Sequence, residues 1–445
     1  MMKWMFAGTA AVLIAAVAPA AAQVRDTGEA AEAGVPAPDS TPADDPRARL
    51  DAWGSLRVYL LTMGPGDAVW ERFGHNAILL RDSTRGIDVA YNYGMFSFDQ
   101  PGFVGRLLQG RMLYWMAPLD GTRMLREYEL RNREVVAQEL ALTPGQKYEM
   151  ARFLEWNAQP ANAEYLYDPF RDNCSTRVRD ALNRVLGGQL RRQLEADTTG
   201  ETFRSHSLRL LAHDPAPHAG LMLALGQPTD VPLTEWEAAF IPMELRDAVS
   251  RIEIERVDGS TGPLVLAQET WHQAMREPEP TAPPERLGIF LGIGVLFAVL
   301  FLGLGHVAGR STAARIALAA LAFLWTFAVG VLGTIIGSLW AFTDHTTTFA
   351  NENLFAVNPL WLVVAVLLLP ALLARRARQP AAIAAGVGAL LAVIGVIAQV
   401  LPGLFQQNGE ILAATVPAEI ALAVVLLLWE RERQARPIVA ASSHF

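Results

Sequence analysis

Cys174 is the single cysteine of a chain of 445 residues, and it stands in "DNCSTRVRDALNRV", where a helical pattern begins. A lone thiol closes no internal disulfide, so it is either a small packed hydrophobe or a nucleophile. Val178, Leu182 and Val185 follow at helical spacing, which makes Cys174 the first position of an apolar stripe. That placement by itself fits a packed core thiol. The nucleophile reading rests on the helix start, where unpaired N–H groups and the macrodipole favour a thiolate and lower its pKa. Asp172 or Asn173 would cap that helix. A reactive thiol also needs a neighbouring base, normally a histidine held by a third polar group.

Eight histidines are available. His206, His213, His218 and His272 lie in helical or loop sequence, His306 in an apolar segment and His444 in the tail. His75, in "ERFGHNAILLRD", opens a strand after Gly74 with Ala77 and Leu79 on its own face. Such a residue is either a satisfied core histidine or a base. A hairpin turn at Ser83 to Gly86 would set Asn92 or Tyr93 opposite it. Asn92 would fix the imidazole tautomer as the Asn of Cys-His-Asn proteases does, Tyr93 less directly, and a slip of one residue exchanges the two. No Cys/His/carboxylate spacing suggests zinc, and there is no G-x-S-x-G elbow. "GIFLGIG" is inside an apolar segment and is no phosphate loop. The chemistry at a Cys-His site calls for neither cofactor nor metal.

Strands and helices must position these groups. "SLRVYLLTM", "HNAILLRD" and "IDVAYNYG" alternate as strands, and "GPLVLAQE" reads as a last one. "TPGQKYEMARFLEWNA" has Thr143 as N-cap and Pro144 at the first helical position, and the helix that opens at Asn173 stops at Gly187 and Gly188. With helices filling most of 203–252, this is an α+β domain over residues 50–275.

Composition divides the rest. The chain is 51% hydrophobic with 18% charged residues, and the apolar excess follows residue 285. A net charge of −8 argues against a nucleic-acid partner. Residues 1–22 have the charged start, short apolar run and small-residue cleavage site of a signal peptide. An uncleaved anchor is the alternative, although the run is short of the ~20 residues that a span needs. Residues 23–49 read as a disordered leader and 276–286 as a Pro-rich linker. Five apolar segments (287–308, 314–342, 357–374, 381–401 and 411–429) make a membrane domain over 287–430, with a tail at 431–445. Arg310 and Arg315, "RRAR" and "RERQAR" flank one end of the spans, and the other loops have no Lys or Arg. The positive-inside rule puts the basic side and the C-terminus in the cytoplasm, and the α+β domain in the periplasm of an inner membrane.

"FGH" on a strand, then "NYG", then "DNC" opening a helix resembles the periplasmic domain of the Lnb-type lipoprotein N-acylation transferases. That family is similar to the permuted papain-like superfamily, in which His precedes Cys, and lecithin:retinol acyltransferase-like enzymes share the "NC" context. The resemblance extends through "GQPTDVPLTEWEAAFIPMEL" and the loop "DHTTTFANENLF". It implies a permuted papain-like domain, Cys174 as nucleophile and His75 as base. It also implies that His345, Asn351 and Asn353 contact a lipid head group or the acceptor. The implied reaction moves a fatty acyl chain from a phospholipid or diacylglyceryl ester, through a thioester on Cys174, to the N-terminal amine of a lipoprotein. The rival readings are a periplasmic Cys-His hydrolase (cell-wall amidase, peptidase or lipid esterase) and a non-catalytic membrane-anchored assembly factor.

Overall fold

The computed structural model describes residues 53–256, 259–374, 376 and 378–442. The signal peptide and leader expected at 1–49 lie outside the described residues. Two compact units share the chain. One runs to His218 and resumes over Val231–Pro283; the other is Ala219–Asp230 together with everything from Pro284.

The first unit is built on an antiparallel sheet. Its strands in chain order are β1 (Arg57–Met63), β2 (His75–Asp82), β3 (Ile87–Met95), β4 (Leu113–Asp120), β5 (Val135–Leu140) and β6 (Glu164–Leu166). A small ribbon of β7 (Glu253–Glu255) and β8 (Thr261–Pro263) precedes β9 (Val265–His272). The seven-stranded order is β6-β4-β3-β2-β1-β5-β9. The strands expected near β1, β2, β3 and β9 are present; β4, β5 and β6 are additional.

Both sheet faces are covered, which explains why β1 is buried at every residue after Arg57. On one face Leu60, Ile78, Leu80, Val89 and Tyr91 pack against Leu154 of the Pro144–Ala158 helix and Val178 and Leu182 of the Cys174–Val185 helix. On the other, Leu61, Ala77, Leu79 and Ala90 pack against Met124 and Tyr128 of the Gly121–Leu130 helix. Thr143 caps its helix as the sequence implies, with Pro144 at the first position.

The β2–β3 hairpin pairs Ala77 with Asn92 and Ile78 with Tyr91. Neither residue proposed to oppose His75 does so. Asn92 lies two residues along, on the same face as His75 by the period of two. Tyr93 is on the other face, where its hydroxyl donates to Asn157 Oδ1 at 2.8 Å.

The second unit has five helices long and apolar enough to cross a membrane: Leu287–Ala308, Thr312–Phe342, Glu352–Leu372, Arg378–Ala398 and Gly409–Glu432. They pack on small residues. Gly388 admits the Trp361 ring, Gly395 admits Phe355, and a Cβ on Gly294 would meet the backbone at Ala413 and Ala414. The loop at 343–359 is tied into this unit by its own side chains. Buried Glu352 accepts from the N–H groups of Phe405 and Gln406, and from Gln399 Nε2.

Candidate active site

Asn173 organises the start of the Cys174–Val185 helix. Its Oδ1 accepts from the N–H groups of Ser175 (2.9 Å) and Thr176 (3.0 Å), and Thr176 Oγ1 accepts from the Asn173 N–H in return. Its Nδ2 donates to the carbonyls of Pro169 and Phe240. One buried amide therefore fixes the first turn, the chain just before it and the distant segment at Phe240.

Asn76, immediately after His75, joins that turn to the sheet. Its Nδ2 donates to Leu61 O and Thr62 Oγ1, and its Oδ1 lies 2.8 Å from Ser175 Oγ. Gly94, at φ +89°, sits beneath the thiol: a Cβ there would lie 3.4 Å from Cys174 Cβ and 4.0 Å from Tyr165 Oη. A glycine is needed because few L side chains adopt this backbone conformation.

Cys174 is 4% exposed. Backbone N–H groups of Asn76, Ser175 and Cys174 point at its sulfur and favour the thiolate, yet burial prevails and pushes the thiol up to about 11. The sequence argument from the helix start expected a lowered pKa. The local donors do act in that direction, but desolvation outweighs them.

His75 is 1% exposed. Its Nε2 is 3.1 Å from Asn92 Oδ1, and Asn92 Nδ2 donates to Ala90 O at 3.0 Å. Because that second bond orients the amide, Oδ1 must be the atom facing the ring, so Nε2 bears the proton. Nδ1 then has a lone pair, buried and without a hydrogen-bond partner. Burial lowers the imidazole to about 4, against the opposing effect of the Asn92 bond and with help from the Arg133 charge. The pair rests as neutral thiol and neutral imidazole.

Arg133, Tyr128 and Tyr165 complete the surroundings and were not singled out by sequence. The Tyr128 ring stacks at 6.5 Å on His75, and the Arg133 guanidinium lies 4.9 Å over Tyr128. Arg133 is 1% exposed and donates from Nε to Gly64 O. Its charge favours both a neutral His75 and an ionised Cys174. The hydroxyls of Tyr128 and Tyr165 and Nη2 of Arg133 are buried without partners. Tyr128 lies in a helix, Tyr165 in a short strand and Arg133 just before β5, and no shared sequence pattern marks the three. Among the described residues, no three His, Cys, Asp or Glu side chains are grouped to hold a metal ion.

The domain that holds these groups and the helical unit after it each match a family model. Residues 48–212 match the Lnb N-terminal periplasmic domain, and residues 293–429 match the Lnb transmembrane domain. The chain belongs to the Lnb family. No curated protein and no solved structure matches it. This Lnb-type chain is accordingly a multi-pass membrane protein with a periplasmic N-terminal domain.

The loop residues proposed to bind substrate have definite partners within the helical unit. Asn351 Nδ2 donates to Leu223 O and Ala224 O, and Asn353 Nδ2 to Met222 O and Leu223 O. These amides hold the C-terminal carbonyls of the Pro215–Ala224 helix, which otherwise lack intrahelical donors. His345 opens the short turn Thr346–Thr348, and its carbonyl accepts from Thr348 Oγ1.

Proposed function

We propose that this Lnb-type protein is a cysteine-dependent acyltransferase that moves a fatty acyl chain from a membrane lipid ester to the N-terminal amine of a lipoprotein. The observation that carries the reading is the orientation of His75. With Nε2–H donated to Asn92, the free lone pair on Nδ1 is the base required by a thiol whose sulfur is contacted by the N–H of the very next residue.

In the first half-reaction Nδ1 takes the thiol proton as the Cys174 sulfur bonds to the ester carbonyl carbon. The N–H groups of the first helical turn are available to the oxyanion. Collapse expels the alkoxide, which takes the proton back from His75 and leaves as an alcohol, with the acyl chain in a thioester. In the second, the α-amine attacks the thioester carbon and His75 takes its proton. The sulfur departs and recovers a proton as thiol. Neither cofactor nor metal enters these steps. A buried imidazole at about 4 holds its proton weakly and returns it readily. Burial of Cys174 limits access of bulk water, which supports a bound amine as acceptor.

We place the protein in an inner membrane with its C-terminus cytoplasmic, a lipid ester as donor and a lipoprotein as acceptor. Mass spectrometry of lipoproteins from cells in which this chain is the sole candidate acyltransferase tests the reading. N-terminal peptides should bear an amide-linked acyl chain, and an added acyl mass should be trapped on Cys174. A free α-amine on those lipoproteins excludes the proposal.

A further inference from the structure

The helix Phe103–Gln109 is apolar on two sides. Phe103 and Leu107 pack on the core cluster that includes Cys174, together with Phe96 from the preceding segment. Val104 and Leu108, one turn apart on the other side, are 62% and 44% exposed, and Phe98, whose ring meets Phe103 at 5.2 Å, is 54% exposed. No residue of this helix is fully buried. A helix apolar on both sides finds its second partner in a protein core or in lipid. Ring contacts and one strand pairing lead from Phe98 toward the proposed catalytic centre. It meets Phe96 at 4.9 Å, Phe96 meets Tyr114 at 5.2 Å, and Tyr114 pairs in register with Tyr165, whose hydroxyl shares the Gly94 surface with Cys174.

We infer that Phe98, Val104 and Leu108 form a lipid-contacting face, where the acyl chain of a membrane lipid is taken from the bilayer and led along Phe96 and Tyr114 toward Cys174. This rests on the acyl-transfer reading above. Lipid is the occupant because five apolar spans on the same chain tie this domain to a bilayer. The charges of the helix and its flanks also suit a lipid surface, with Arg106 and Arg111 against a single Asp99. Basic residues interleaved with apolar ones are the pattern of a segment lying at an anionic interface.

The full chain in bilayer nanodiscs of phosphatidylethanolamine and phosphatidylglycerol tests this. Val104→Cys in a Cys174→Ser background gives one exposed thiol for an environment-sensitive fluorophore. Quenching by nitroxide-bearing lipid is expected. Quenching by aqueous iodide alone overturns the inference, and shielding from both quenchers overturns it in favour of a protein partner. In the catalytically intact chain, Val104→Ser with Leu108→Ser should raise KM for a phospholipid donor about tenfold while kcat holds. A fall in kcat at constant KM overturns the inference as well. Lipid quenching without any acyl mass on wild-type Cys174 supports the face and sinks the acyl-transfer reading. Acyl mass without lipid quenching does the reverse.

Discussion

Burial decides the protonation of Cys174 and His75, the proposed nucleophile and base, and both are thereby held neutral. His75 serves as base only when unprotonated, and its pKa is about 4, so kcat/KM should rise through about pH 4. An ordinary imidazole would place that limb near 6.5. Asn92→Asp sets a carboxylate where Oδ1 is now 3.1 Å from Nε2. It should move the acid limb up by about one unit or more, because a nearby negative charge favours the imidazolium. An unmoved limb would mean that His75 is not the titrating base. The same shift has a stability consequence. The folded pKa lies below the unfolded one, so the unfolded chain binds more protons between about 6.5 and about 4. Stability from this group is therefore full above that window and lost as pH falls through it. His75→Ala should flatten that part of the melting-temperature profile relative to wild type. The thiol, at about 11, should alkylate slowly with iodoacetamide at neutral pH in the absence of substrate, which mass spectrometry will follow.

At the scale of elements, the position of Cys174 depends on how its helix starts and how closely the sheet approaches. Asn173→Ala removes an N-cap and leaves the Pro169 and Phe240 carbonyls without their donor. A cap costs about 1 kcal/mol and each of the two stranded carbonyls about 1–3 more, so a loss of at least about 3 kcal/mol is expected in thermal unfolding. Thr143 was legible as a cap and Asn173 as one of two candidates with Asp172, because capping is local chemistry between residues a few positions apart. The apolar stripe Cys174, Val178, Leu182 and Val185 was legible for the same reason, and all four are buried. The partner of His75 was less so. Asn92 is diagonal to it, and the register shift between Asn92 and Met95 in the β3–β4 pairing disturbs any count of residues past that point. Strand pairing joins residues far apart in sequence, where no short-range pattern sets the register.

At the scale of the whole chain, the segment Ala219–Asp230, read from sequence as part of 50–275, groups in one unit with the part of the chain from Pro284. Within that unit Gly226 donates its N–H to Thr347 O, and a Cβ at Gly226 would collide with the Phe349 carbonyl. Gly226→Ala should destabilise the helical unit by about 2 kcal/mol as overpacking. Thermal unfolding in detergent measures it, and an unchanged midpoint would show that the 343–359 loop does not need this seat. The topology proposal is checked separately. A fluorescent protein fused to the C-terminus should be bright, and alkaline phosphatase there inactive, if that end is cytoplasmic.

By itself the amino-acid sequence determined the features that depend on neighbours in the chain: the helix caps, the buried stripe, four strands, five apolar spans, and the order of histidine before cysteine. Hydrophobic period and capping chemistry act over a few residues and can be read directly. Only the tertiary structure decided which atom of His75 is free, since this follows from Asn92 being oriented by Ala90 O. It also decided that the thiol is raised rather than lowered, and that Asn351 and Asn353 hold helix carbonyls. These outcomes depend on burial and on partners contributed by distant segments, and in a low-dielectric interior such groups outweigh the local preference of a helix terminus.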